Sequence, residues 1–352
     1  MTKEQNRKKL TKGKKILLII LCCFLSVVLL ISTTIASLYF YGKKLSTSKD
    51  VVITPTDNIL ADIDDDNIVT YNGKKYKYNE DITTVLCVGV DNAKLQNGDT
   101  YVTGKAGQAD AIYLIAIDTA TGKTRVIGIP RDSITDIDLY SSAGKFIGSE
   151  KKQICLSYAY GDGKDSSAQN TAKAVSRLLY GMPVNSYFVI DDDSMAPLQN
   201  AVGDITVIPN ETIEKQEVEF NKGEPFVITG KNAYKYLKAR NETSTNASLL
   251  RLERQIDYLK KYSAKAISKT KNDLSFPVKL YNKVVNNVTT DINVSKVTFL
   301  ASCILKEKEN VNLDFVQIKG EQIKGEGSYA EFYPDETALF EMVLDIFYSE
   351  TV

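Results

Sequence analysis

The stretch "ADAIYLIAIDTATGKTRVIGIPRDSI", Ala109 to Ile134, decides how this chain folds. Its first ten residues are apolar almost without interruption and rich in β-branched side chains, as a strand buried on both faces requires. Ala120-Thr121-Gly122 breaks the run and "KTRVIGI" resumes it, which predicts a β-hairpin. Pro130 then restricts the backbone where the second strand ends, and Arg131 and Asp132 follow at once. Antiparallel pairing would return them to the sheet edge where Asp110 opens the first strand. Two carboxylates and a guanidinium would then share one site, at the strand ends where ligands of layered sheets gather.

Working outward, "TTVLCVGVD" upstream reads as a second buried strand. Downstream, "SSAQNTAKAVSRLLYGMPV" reads as a capped helix ended by Gly181 and Pro183. "SYFVID" is a strand, "DSMAPLQNAVG" a helix capped near Asp193, and "ITVIP" another strand. Helices follow near Lys231–Lys238 and Ser248–Ser268, then "VSKVTFLASCIL" as a helix, "NLDFVQI" as a strand and "DETALFEMVLDIFY" as a final helix. Strands alternating with helices imply an α/β layered domain, with no internal repeat.

The length of 352 residues and 43% hydrophobic content allow one large core or two modest ones. The zero net charge hides an asymmetry. Residues 1–50 carry a net charge of +8 and the rest a net of −8. An acidic main domain argues against nucleic acid as a partner.

The basic start runs into Ile16 to Tyr41, which holds no charged residue. About 20 apolar residues cross a bilayer, whereas the apolar stretch of a signal peptide has roughly 7 to 15, so an uncleaved anchor is expected. Seven basic residues precede it and three follow within residues 1–50, which places the N-terminus in the cytoplasm and the main domain outside. Tyr39, Phe40 and Tyr41 would lie at the outer interface. The expected organisation is a basic tail (1–15), an anchor in the cell membrane (16–41), a polar linker with a short strand at "KKYKY" (42–82) and a domain with a C-terminal extension (83–350). Asp62, Asp64, Asp65 and Asp66 lack the Gly and closing Glu of a calcium loop and read as solvated linker.

The chain has no histidine, which excludes Ser-His-Asp and Cys-His catalysis and His-based zinc sites. Cys87, Cys155 and Cys303 are scattered and make no disulfide or zinc pattern. Any metal must be held by oxygen, and a general base should be a carboxylate. In "SLLRLERQIDYLKKY", Arg251, Arg254 and Gln255 share a helical face, and Arg240 ends "YLKAR" just upstream. Several arginines facing Asp110 and Asp132 would suit a phosphate or pyrophosphate held with a divalent metal.

The order "VLCVGVD", "ADAIYLIAID", "VIGIPRDS", "LSYAYGDG", "VNSYFVIDDDSMAPLQNAVGDITV", "YLKAR" and "RLERQ", behind a single anchor, resembles the LytR-CpsA-Psr family of membrane-anchored cell-wall enzymes. The resemblance implies a mixed central sheet between helical layers, with a deep apolar pocket for a polyprenyl chain. It also implies transfer of a phosphorylated glycopolymer from a polyprenyl-pyrophosphate carrier to a cell-wall acceptor, a peptidoglycan hydroxyl. Asp110 and Asp132 then resemble the magnesium (Mg2+)-associated acids. Arg131, Arg240, Arg251, Arg254 and Gln255 resemble the residues around the pyrophosphate. Three departures stand out: Gln153, Ile154, Cys155 and Leu156 replace a Lys-Ile-Asn-His-like run, Ser248-Leu249-Leu250 replaces acidic and glycine residues, and Lys238 stands where Arg is common. A glycan-carrier binding protein and a pyrophosphatase would use the same groups.

Overall fold

The computed structural model describes residues 33–34, 36–46, 48, 51–91, 107–214, 216–241, 244, 246–307, 313–325 and 329–351. The expected anchor at 16–41 therefore lies largely outside the described residues, among which no helix is long and apolar enough to cross a membrane.

In chain order, α1 (residues 36–46) precedes β1 (Asp62–Ile63), β2 (Val69–Tyr71) and β3 (Lys74–Tyr78). Next come β4 (Ile82–Val90), β5 (Ala109–Asp118), β6 (Thr124–Ile129), β7 (Ile134–Tyr140) and β8 (Phe146–Gln153). After a 3-10 turn at Ile154–Tyr160 follow α2 (Asp165–Leu178), β9 (Ser186–Ile190), α3 (Asp192–Val202), β10 (Ile205–Val207) and β11 (Phe226–Ile228). The remainder is α4 (Ala233–Lys238), α5 (Ala247–Asn272), α6 (Phe276–Val284), β12 (Thr289–Thr290), α7 (Val294–Ile304), β13 (Asp314–Gln317), β14 (Gly320–Lys324), β15 (Ala330–Pro334), α8 (Glu336–Phe347) and β16 (Tyr348–Thr351).

Six strands form a mixed central sheet in the order β12-β9-β4-β5-β6-β13. The expected hairpin is β5–β6, antiparallel with Ile112 opposite Ile129, while β4 runs parallel to β9 and β6 to β13. Alternation along β5 explains its continuous apolar run. Ile112, Leu114 and Ala116 join the main core with Leu86 and Ile127, packed by Ala168, Val175 and Leu178 of α2 and Phe340, Val343 and Phe347 of α8. Tyr113, Ile115 and Ile117 face the other way, towards Leu252 and Ile256 of α5 and Phe299 and Cys303 of α7. Gly128 on β6 lets α5 approach closely, since a Cβ there would lie 3.1 Å from Ile256 Cδ1.

The stretch 42–82 carries the expected strand at Lys74–Tyr78, but much of it is built into the fold. Ile53, Ile59 and Val69 enter the main core, and β3 pairs antiparallel with the C-terminal β16. A sparse apolar pattern hid this because each short strand contributes only one or two inward side chains. At the other end of the stretch, α1 packs on α7. A side chain at Gly42 would clash with Ser295 O, and Tyr39 sits edge-on to Phe299 with centroids 5.2 Å apart.

Two helix starts differ from the sequence reading. The α3 N-cap is Asp191 rather than a residue near Asp193, because Asp191 and Ser194 form a reciprocal capping box. For α2, Asp162 Oδ1 accepts from the amides of Lys164, Ser166 and Ser167, which satisfies donors that a helix start leaves open. The hairpins β7–β8 and β14–β15 and the helix α6 had no distinct sequence signal; β8, "FIGSEKKQ", is exposed over most of its length. "ITVIP" does form a strand, β10, but it pairs with β11 outside the central sheet.

Candidate active site

The turn after β6 is fixed from three sides. Ser133 donates through both N and Oγ to Pro130 O, at 3.0 and 2.7 Å. Cys155 N reaches Arg131 O at 3.1 Å, and Phe332 N reaches Asp132 O at 2.9 Å. With its backbone held, Arg131 sends its guanidinium across to β5, where it pairs with Asp110 Oδ1 and donates to Gln108 Oε1. Its other contacts are Cys155 Sγ at 3.3 Å and, from Nε, Asp132 Oδ1 at 3.5 Å. The hairpin thus brings together Asp110, Arg131 and Asp132, as the register demands.

Helix α5 supplies the next cation. Arg251, 4% exposed, donates to Asp110 O at 3.1 Å and Oδ1 at 3.3 Å, so one carboxylate oxygen serves two guanidiniums. Burial pulls the Arg251 pKa down to about 10, helped by the positive charges of Arg131 and Arg240 and opposed by Asp132. A buried guanidinium set among like charges makes a site that an incoming anion relieves. Lys238 and Arg240 are exposed beside it at the end of α4.

Gln255 is buried and already engaged: Oε1 accepts from Tyr113 Oη at 2.9 Å and Nε2 donates to Leu237 O at 2.9 Å. Arg254 departs further from the expected arrangement. It pairs with Glu211 and Ala239 O, with its guanidinium 5.3 and 5.4 Å from the Phe220 and Tyr236 ring centroids. Three residues on from Arg251, it is turned about 60° around the helix, and there Glu211 and the rings of Phe220 and Tyr236 cover it. Arg254 is therefore a buried support, not a member of the Asp110–Arg131 cluster.

Behind the charged cluster lies an apolar cavity of about 550 Å³. Asp110, Lys238, Arg251 and Gln255 line it together with Tyr113, Ile115 and Val126 of the sheet, Leu259 and Ile267 of α5, Leu280 of α6, and Leu300 and Ile304 of α7. It follows β5 from Asp110 to Ile115, which at the usual strand rise spans roughly 17 Å. One end is charged and the rest is greasy. The Cys87 thiol on its wall is pushed up to about 12 by burial, so it acts as an apolar group.

The donor chemistry near Arg131 is compatible with magnesium. Asp110 and Asp132 are hard oxygen donors on either side of one guanidinium, and magnesium is commonly held by one or two carboxylates plus substrate phosphates. Among the described residues, three acidic groups come within mutual ligand range only at Asp191, Asp192 and Asp193. Asp191 there is occupied as the α3 cap.

A profile of the LytR_cpsA_psr family matches residues 49–343, most of the chain. The chain belongs to the LytR_cpsA_psr family. A relative from Bacillus licheniformis, named polyisoprenyl-teichoic acid–peptidoglycan teichoic acid transferase TagU, is 27% identical over 272 residues, 76% of this chain and 78% of the relative. Protein gbs0355 of Streptococcus agalactiae shares the fold, with a TM-score of 0.61 at 22% identity over 77% of this chain and 90% of its own. So does the structure described as TagT bound to LI-WTA, with a TM-score of 0.54 at 19% identity over 77% of this chain and 92% of its own. Membership and the named relatives support a glycopolymer transferase, an enzyme acting at the cell wall.

Within this LytR_cpsA_psr chain, two of the departing residues have defined partners. Gln153 Nε2 reaches Ala330 O at 2.6 Å and Asp132 Oδ1 at 3.3 Å, so a neutral amide bridges the hairpin and the carboxylate where a lysine is common. Ser248 bonds Gln322 of β14 at 3.0 Å. Gln108, Cys155 and Glu211 were missed by sequence reasoning. For Gln108 a signal existed, because it lies two residues before Asp110 and so on the same strand face; for Glu211 none did.

Proposed function

We propose that the protein is a membrane-anchored phosphotransferase that moves a glycopolymer phosphate from a polyprenyl-pyrophosphate carrier to a peptidoglycan hydroxyl. The observation that carries this reading is the junction of a cationic cluster with an apolar cavity of about 550 Å³. That junction suits an anionic head on a long greasy tail. The names of the relatives, which couple teichoic acid to peptidoglycan, support the same donor and acceptor classes. The charge asymmetry around residues 16–41 supports an anchor in the cell membrane with the N-terminus in the cytoplasm.

In the proposed reaction Arg131 and Arg251 grip the pyrophosphate oxygens, and Lys238 and Arg240 add positive charge at the mouth. The acceptor oxygen forms a bond to the sugar-linked phosphorus while the bridging P–O bond breaks, and polyprenyl phosphate leaves with the bonding electrons. Asp132 takes the hydroxyl proton. It suits this role better than Asp110, whose Oδ1 already accepts from two guanidiniums, whereas Asp132 Oδ1 has Arg131 Nε only at 3.5 Å and the neutral Gln153 amide at 3.3 Å. Magnesium, when bound, would be held by Asp110 and Asp132 and would neutralise phosphate charge.

The test is transfer of labelled glycopolymer from its lipid carrier to peptidoglycan by the full chain in proteoliposomes. Asp132→Asn should lower transfer at least about tenfold, about 1.4 kcal/mol of barrier, with carrier binding close to normal. Wild-type protein that releases free phosphorylated polymer is a hydrolase instead, and one that holds the carrier without either product is a binder.

A further inference from the structure

We infer that Glu211 is a positioning residue for the head-group site, acting through Arg254 on the backbone that carries Lys238 and Arg240. This rests on the reading of the site as a pyrophosphate pocket. Arg254 bridges two elements that sequence keeps apart. One arm of its guanidinium pairs with Glu211, in the loop between β10 and β11, and the other donates to Ala239 O just past α4. The next residue on α5, Gln255, donates to Leu237 O at 2.9 Å. Adjacent side chains of one rigid helix therefore hold the carbonyls of residues 237 and 239. The two exposed cations, Lys238 and Arg240, are fixed to the same helix that presents Arg251.

The carboxylate is needed for the guanidinium to stay where it is. The Arg254 side chain is 1% exposed and Glu211 is 8% exposed. Burial depresses the Arg254 pKa, and the charge of Glu211 opposes that shift. Without a counter-charge, a guanidinium packed against Phe220 and Tyr236 would be driven towards water, and it could leave only by releasing Ala239. Glu211 does not line the cavity, yet it governs where Lys238 on the cavity wall and Arg240 beside it stand. Selectivity for a charged head over a neutral one depends on that placement.

The experiment compares farnesyl pyrophosphate with farnesol, which shares the tail and lacks the charge, on the full chain in nanodiscs, together with Tm. In Glu211→Gln, farnesyl pyrophosphate binding should weaken about tenfold while farnesol affinity is unchanged. Because Glu211 acts through Arg254, the double variant Glu211→Gln/Arg254→Met should lose no more than Arg254→Met alone. That double variant has no lone buried charge, so it serves if Glu211→Gln alone does not fold. Parallel loss for both ligands, or wild-type selectivity in the folded variants, would overturn the inference. Wild-type protein that binds the two ligands equally would overturn the pyrophosphate reading beneath it.

Discussion

Arg131 concentrates more of the site than any other residue: it touches Asp110, Gln108, Cys155 and Asp132 with a single planar group. Lysine keeps the charge but offers one point of contact instead of a fork. Arg131→Lys should weaken carrier-pyrophosphate binding by roughly 10- to 100-fold, the equivalent of about 1.5–3 kcal/mol of charge-assisted hydrogen bonding, measured by titration with farnesyl pyrophosphate. Wild-type affinity in that variant would remove Arg131 from the head-group site. The triad Asp110, Arg131 and Asp132 was legible in the sequence because a hairpin's register is local, so two strands and one turn place all three. Arg254 was misleading for the opposite reason. Its partner Glu211 lies 43 positions away in a loop, and helical spacing shows which residues share a face without showing what covers it.

At the scale of elements, strands and helices carried by strong periodicity were readable, while those defined by a few tertiary contacts were not. The hairpin β7–β8 is an example, and one residue ties it down. Asp138 of β7 is buried, yet hydrogen bonds from Ser149 and Arg177, with the charge of Lys173, overcome that burial and hold its carboxyl below the usual range. The folded pKa is thus lower than the unfolded value of about 3.9, so the stabilisation is fully present above that value and is lost as pH falls through the folded pKa. Asp138→Asn should cost about 1–3 kcal/mol at neutral pH and flatten the acid limb of stability. Thermal unfolding of both proteins between pH 7 and pH 3 checks this; parallel acid limbs would dissociate Asp138 from the effect.

Taken whole, the molecule places its cavity between the sheet and a layer of α5, α6 and α7, with the charged groups at one end. The sheet was foreseeable from buried strands, whereas the cavity was expected only through the family resemblance, because an apolar wall facing an empty volume and one facing another side chain have the same sequence pattern. The proposed topology has a direct check. Protease added to wall-stripped intact cells should digest the bulk of the chain beyond residue 50 and spare a short N-terminal fragment. Protection until lysis would reverse the orientation.

The seat of α1 on α7 has a mechanical consequence. Gly42 lets the two backbones come within reach of each other, and α7 is also the wall of the cavity remote from Asp110. In the proposed membrane arrangement α1, whose first turns overlap the expected anchor, would join bilayer to domain, so the domain would be mounted on a bracket and would not swing on a leash. Its tilt and standing height would be set by that joint. The greasy end of the cavity would stay on the bracket's side, and a carrier lipid would slide in from below with its tail never far from the bilayer while only its head climbs to the arginines.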